Sequence, residues 1–588
     1  MPPAVSDSPR FDVAEIPFSA RGSWLDLSPV VGLHTRADDI HLVSHQTGMH
    51  AVLALVPQVA GARTETELAA TPSVLRWRHA AGRIEATFDG IDAVRFRGTD
   101  LGLKLADAAG GLTPFTGTYL FTEPGTKAAV FTSYETGRRY RITPLTGSLL
   151  VDGDGALGAA GRSVSIDGDR WELVVEEFTA ARTPYRATRS FDEIVAENAA
   201  EFTAYLDALA PWRSAATPAA PLAAYVLWSA TVSPLGFLGR ESILMSKHWM
   251  DKVWSWDHCF NALALAPGLP AVALDQFLAP FDHQDAAGAP PDSVTHSEIL
   301  YNYVKPPIHG WALAKLRERT PNGLRPDQLV EVYGRLSRWT RFWLDHRRVA
   351  GHVLPYYQHG NDSGWDNSTT FDRDRLIESP DLAAFLVVQL DVLSGIAREL
   401  GNGEAPGWAT DRDAVLAALL TELWDGTDLV AIGADSRQPS TATSLLNLLP
   451  ILAAKRLPKE MRDRLATRIA EHLTEWGLAT EIPGSQHYES DGYWRGPIWA
   501  PSTVLIESGL RSSGYTELAD DISRRFRALC ERSGFAENFD AVTGEGLRDR
   551  AYSWTASAYL LLAGEAASRS GSTSTASSRL VGEKSRRR

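Results

Sequence analysis

From about residue 20 to 180, apolar and polar positions alternate in short runs. Examples are Ile40-His41-Leu42-Val43, Val74-Leu75-Arg76-Trp77-Arg78, Tyr140-Arg141-Ile142 and Trp171-Glu172-Leu173-Val174-Val175. A period of two broken by Gly and Asp turns predicts strands, and their spacing predicts an antiparallel β-sandwich over 20–185. Near Ser190 the period lengthens. Phe191 to Asn198 leads into Phe202 and Tyr205 at three-to-four spacing, and a Pro-Ala-rich segment at 215–221 follows, which predicts a linker helix and a boundary over 186–221.

Beyond that boundary helical stretches follow one another with no strand run of comparable strength. They include Leu222–Val232, Pro270–Phe281, Pro326–His346, Asp381–Leu400, Arg412–Trp424, Leu445–Ala454, Glu460–Trp476, Pro497–Leu510, Tyr515–Arg532 and Tyr552–Ala563. Paired helices with chemistry on their loops, and no self-similar repeat of fixed period, fit an (α/α)6 toroid over 222–566 better than a solenoid. The expected fold is therefore α+β and multidomain, an N-terminal antiparallel β-sandwich followed by an (α/α)6 toroid. Residues 1–19 read as a flexible start and 567–588, polar and finally basic, as a disordered tail.

Composition narrows the partners. A net charge of −14 argues against nucleic acid or an anionic membrane surface. Two cysteines, Cys259 and Cys530, are too few for a disulfide framework and lie in no metal-type spacing. The start lacks the basic and apolar features of a secretory signal, and no window holds eighteen uninterrupted apolar residues, so a cytoplasmic location is expected. Oligomeric state is unreadable. No phosphate-cradling loop, nucleophile elbow, HExxH or dinucleotide fingerprint is present, and no cofactor or metal is expected. The eighteen tryptophans stand out, because indoles both fill cores and stack on the apolar faces of sugars.

Several tryptophans fall in loop clusters with charged groups. In Trp254-Ser255-Trp256-Asp257, the acid either grips sugar hydroxyls beside an indole or caps the helix that follows. In Tyr301 to Trp311, Lys305 precedes two prolines and is either solvated or buried against an acid. Asp362-Ser363-Gly364-Trp365-Asp366-Asn367-Ser368 holds two candidate general acids, each of which is alternatively an Asx-turn residue. In Tyr493-Trp494-Arg495-Gly496-Pro497, Arg495 grips sugar oxygens or forms a structural ion pair. Glu537-Asn538-Phe539-Asp540 and Glu545 supply candidate bases, with Glu545 reading more as an exposed turn. Two carboxyls facing each other across a sugar are the apparatus of glycoside hydrolysis.

Taken in order over roughly 220–565, these motifs resemble the inverting α-glycosidases of glycoside hydrolase family 63, above all its bacterial members acting on mannosylglycerate and glucosylglycerate. Trehalases of family 37 are more distant. The resemblance implies Asp366 as general acid, Glu537 as general base, and Trp256, Asp257, Trp365, Trp494 and Arg495 as the walls of the sugar subsite. It implies a small carbohydrate substrate. The chain departs from the family's pattern at Lys305, where Gln is usual, and at Asp362, where Glu is usual. Lys305, Lys247 and Lys252 together prompt the expectation of an acidic aglycone such as glycerate. An exo-acting inverting α-glycosidase is the first reading; a glycoside phosphorylase and a non-catalytic sugar-binding protein are the alternatives.

Overall fold

The alternating runs of the N-terminal region pair into two antiparallel sheets in the computed structural model, which describes residues 8–109, 118–158 and 160–585, with side chains through residue 570. One sheet has seven strands, ordered Leu25–Gly32, Thr35–Ser44, His50–Val59, Gly102–Asp107, Ser163–Ile166 and Leu150–Asp152, with Ala62–Arg63 hairpinned onto the third. The other has eight, ordered Thr118–Thr122, Ala129–Ser133, Arg139–Thr146, Trp171–Phe178, Ala93–Thr99, Arg83–Phe88, Val74–Arg78 and Glu67–Thr71. Both contribute alternate residues to one apolar cluster that includes Leu42, Leu53, Leu103, Trp77, Phe96, Phe131 and Trp171. Period two in the sequence thus becomes one buried face per strand. Within the expected flexible start, Phe11 and Phe18 bridge to Ala70 and Leu27, and Val13 and Phe18 join the apolar cluster.

The chain divides into two compact units. The first holds residues 1–207, 224–252 and 295–298; the second holds 208–223, 253–294 and 299–588. The first unit contains a buried ionic cluster. His45 sits between Asp26 and Asp251, at 2.7 Å through Nε2 and 3.1 Å through Nδ1. Burial opposes its charge, but the two carboxylates outweigh that penalty and raise its pKa to about 9. Nearby, Lys247 donates from Nζ to Ser19 Oγ at 2.9 Å and Ser23 O at 2.6 Å. With only Asp26 as a charged counterweight, burial pulls its pKa down to about 7.

The helices run in order as α1 (Phe191–Leu209), α2 (Ala220–Ala230), α3 (His258–Leu265), α4 (Pro270–Leu278), α5 (His309–Arg319), α6 (Pro326–His346), α7 (Pro380–Leu400), α8 (Ala405–Glu422), α9 (Lys459–Glu471), α10 (Ala500–Ser512), α11 (Thr516–Ser533) and α12 (Ser553–Ser585). A 3-10 helix, Leu445–Arg456, lies between α8 and α9 and carries Pro450 inside it. Proline's fixed φ and missing N–H suit a first turn, and α4, α6 and α7 all open on one. The amphipathic α6 buries Leu329, Val332, Tyr333, Leu336, Trp339 and Trp343, a stripe at three-to-four spacing.

α7 is apolar nearly all round. Among the described residues it alone is long and apolar enough to cross a membrane, and most of it is buried inside the fold. In the second unit α3 packs on α5, α5 on α7, α7 on the 3-10 helix, the 3-10 helix on α10, α10 on α12, and α12 back on α3. These six elements close a ring, and α4, α8, α9 and α11 pack against its members. The residues expected to form a disordered tail continue the backbone of α12 to Ser585, and 586–588 lie outside the described residues.

Candidate active site

The loops that lead into α3, α5, α7, α10 and α12 hold the motif residues. Before α7, the chain makes a short 3-10 turn over Gly360–Ser363 and reverses at Gly364 with φ +75°. A Cβ at Gly364 would lie 2.6 Å from the Trp256 ring. Glycine is therefore required twice over, for its left-handed backbone and for the close approach of the indole. The turn places Trp365 and Asp366 in sequence, with Trp365 buried and 28 % of the Asp366 side chain exposed.

Asp362 holds this loop in place. It is 1 % exposed, pairs with Arg347 at 2.8 Å, and accepts from the backbone N–H groups of Val304 at 3.0 Å and Gln358 at 2.9 Å. These contacts tie Asp362 to Arg347, to the chain just before Lys305 and to the turn that carries Asp366. Asn367 makes the next connection. Its side chain accepts from the backbone N–H of Trp494 at 2.9 Å and donates to Gly492 O at 3.0 Å.

Trp256, Trp365 and Trp494 converge, with Trp499 and Trp554 behind them. The Trp494 and Trp499 rings stack at 4.0 Å and 4°, Trp365 lies 4.6 Å from Trp494, and Trp256 lies 6.4 Å from Trp494 and 5.9 Å from Trp554. The three expected sugar-wall indoles are each at most 2 % exposed. Here they pack into one buried indole cluster.

Lys305 is buried, not solvated. Its Nζ donates to Asn361 O at 3.0 Å and lies 3.2 Å from Asp292 Oδ1 and 3.8 Å from Asp366 Oδ1. Burial disfavours its charge, but Asp366, Asp292 and Asp257 together raise its pKa. One cation faces three carboxyls, and burial pushes all three carboxyls up, Asp257 to about 8. Asp257 stands at the N-cap of α3 without making a side-chain cap bond, and its Oδ2 is buried with no hydrogen-bond partner among the described residues. The capping explanation for Asp257 is thus not what the structure shows.

Glu537 lies just before the short hairpin of Asn538–Phe539 with Gly546–Leu547 and is 3 % exposed. Burial raises its pKa to about 8, helped by the like charge of Asp549 and opposed by Arg548. Glu545 is an exposed turn residue. Burial raises the Tyr493 phenol well above its ordinary range, and the Asp366 and Glu537 carboxylates add to that rise. Tyr493 itself sits at φ +62°, an uncommon conformation for a non-glycine residue, with Arg548 over its ring at 5.0 Å.

Arg495 is spent elsewhere: its Nε donates to Asn367 O at 2.8 Å and its fork pairs with Asp372. Lys247 and Lys252 belong to the first unit, and the Lys247 ammonium is satisfied there by Ser19 and Ser23. Lys305 stands among the site's carboxyls. Sequence reasoning missed Tyr493 as a site residue, along with Asp292 and Asp549. Asp292 follows Pro290-Pro291 much as Lys305 precedes Pro306-Pro307, which is a usable signal; the Arg548-Asp549-Arg550 run reads as a solvated charge cluster and hides its acid.

Among the described residues no group of three or more His, Cys, Asp or Glu is placed to hold a metal ion. The arrangement offers a buried carboxyl, Glu537, and a partly exposed one, Asp366, both with raised pKa.

The family model described as "Mannosylglycerate hydrolase MGH1-like glycoside hydrolase domain" matches residues 250–555, which spans every loop described above. The mannosylglycerate hydrolase of Rubrobacter radiotolerans is 25 % identical over 52 % of this chain and 89 % of its own length. The glucosylglycerate hydrolase of Mycolicibacterium hassiacum is 23 % identical over 58 % of this chain and 97 % of its own. In fold, the crystal structure of the family 63 mannosylglycerate hydrolase from Thermus thermophilus with Tris matches with a TM-score of 0.50 and 21 % identity, over 58 % of this chain and 98 % of that one.

Proposed function

This chain belongs to the MGH1-like glycoside hydrolase family, and on that premise we propose that it is an exo-acting, inverting α-glycosidase that removes a terminal α-glucosyl or α-mannosyl unit from a small glycoside. Asp366 protonates the glycosidic oxygen, and Glu537 deprotonates a water that attacks the anomeric carbon from the opposite face. The reading requires room for that water, with the two carboxyl groups about 6.5–9.5 Å apart in a crystal structure. We read the closed ring of helices as an (α/α)6 toroid with the site at one end, and the two N-terminal sheets as a sandwich. A cytoplasmic location fits the same reading.

The observation that carries it is the pair Asp366 and Glu537, two carboxyls that burial raises in pKa and that both act on the Tyr493 phenol. Burial raises the pKa of both carboxyls, which suits Asp366 to hold a proton as the acid, while the Lys305 ammonium opposes that rise. An acid and a base each contribute roughly 10²–10⁴ in rate. Asp366→Asn and Glu537→Gln should each lower kcat by about that factor with an unchanged folded state by circular dichroism. Near-normal turnover in either variant rules the assignment out.

The substrate families named for the relatives, mannosylglycerate and glucosylglycerate, are the first compounds to assay. Lys305 is the one lysine placed to meet a carboxylate aglycone, and it already serves three acids, so a neutral aglycone competes on equal terms.

A further inference from the structure

The geometry points to a second, non-catalytic binding site for a neutral saccharide in the N-terminal unit. A cleft of about 450 Å³ opens there, lined by Trp24, Gln46, Arg138, Glu177, Phe178 and Leu235 among others. That volume falls within the range of small-molecule sites. Its polar groups are built in. Glu177 is 5 % exposed and accepts from Tyr140 OH at 2.9 Å, from Ser44 Oγ at 3.2 Å and from the Gln46 amide.

Because Gln46 must present its NH₂ group to that carboxylate, its carbonyl is turned away. Gln46 Oε1 is buried and has no hydrogen-bond partner among the described residues. An orphaned buried acceptor is costly unless a donor reaches it. The complementary group is Arg138. Its half-buried guanidinium makes no ion pair or hydrogen bond among the described residues, in contrast to Arg182, which is tied to Asp92 at 2.5 Å and Glu176 at 2.9 Å.

A hydroxyl both donates to an amide oxygen and accepts from a guanidinium. Charges across the cleft balance, Arg138 and Arg182 against Glu177 and Asp92, which favours a neutral ligand over an anion. Trp24, Phe178 and Leu235 supply the apolar surface that the C–H face of a sugar ring covers. Polyhydroxylated, uncharged and ring-shaped describes a monosaccharide or the end of an oligosaccharide.

Free glucose and mannose are not substrates for hydrolysis, so the unmodified full chain serves for the test. Saturation-transfer NMR titrations should resolve two classes of sugar site. Arg138→Ala and, separately, Gln46→Leu should weaken one class at least tenfold, while kcat/KM on an α-glycoside stays within twofold of the parent. Inorganic phosphate should not displace the sugar. The inference is overturned by a single class of sites, by two classes that both survive Arg138→Ala, or by phosphate displacing the sugar, which would make the cleft an anion site. Arg138 holds no ion-pair partner among the described residues, so its truncation remains informative even where Gln46→Leu fails to fold.

Discussion

Lys305 Nζ lies 3.8 Å from Asp366 Oδ1, which sets a fixed positive charge beside the proposed proton donor. An opposite charge at that distance favours the ionised acid, commonly by about 1–3 pKa units. Lys305→Gln should therefore move the basic limb of the kcat/KM profile to higher pH by about 1 unit or more. An unmoved basic limb would mean that Asp366 is not the acid that limits turnover.

Glu537 carries the opposite bias. Its pKa stands near 8 because it is buried beside Asp549. A base must be ionised to act, so the acidic limb of kcat/KM should lie well above the usual carboxylate range. Asp549→Asn removes the like charge yet keeps an oxygen to accept from Ala551 N–H, a bond of 2.9 Å. The acidic limb should then move to lower pH. The two limbs belong to the coupled pair as a whole, so the directions, read by steady-state kinetics from about pH 5 to 10, are the test.

Gly364→Ala should cost more than about 1 kcal/mol. Its φ of +75° strains any side chain, and the new methyl would meet the Trp256 ring. Since the same turn carries Trp365 and Asp366, activity should fall together with the denaturation midpoint. A variant as stable as the parent would contradict the described turn.

His45 stabilises the first unit through Asp26 and Asp251. Its folded pKa, about 9, exceeds the unfolded value of 6.5, so its contribution is complete below pH 6.5 and is lost as pH rises through about 9. His45→Asn leaves two buried carboxylates without their cation and should destabilise by roughly 3–5 kcal/mol at about pH 6. The difference between parent and variant in urea melts should shrink as the pH is raised past about 9. A difference independent of pH would exclude a protonated His45.

Much of this was legible in the sequence, for identifiable reasons. Period two from Ile40 to Val175 became strands with one buried face, and the apolar spacing from Leu329 to Trp343 became the buried stripe of α6. The Leu445–Ala454 run was legible as helical, but Pro450 breaks the α pattern and a 3-10 helix results. The Leu222–Val232 run ends as a helix at Ala230, because Thr231–Val232 pairs with Ser242–Ile243 as a strand. Asp362 looked as chemical as Asp366 because both stand beside Ser and Gly or Trp and Asn; the Arg347 pairing, two backbone N–H bonds and deeper burial separate them. Tyr493 was hidden because its role depends on a left-handed backbone, a conformation that no residue spacing announces.

The most direct test of the central claim is proton NMR of the first sugar released from an α-glucosyl or α-mannosyl glycoside, recorded before mutarotation scrambles it. An acid at Asp366 and a base at Glu537 acting across a bound water predict the β-anomer first. Release of the α-anomer first would contradict the account, since it requires a covalent intermediate and a retaining mechanism.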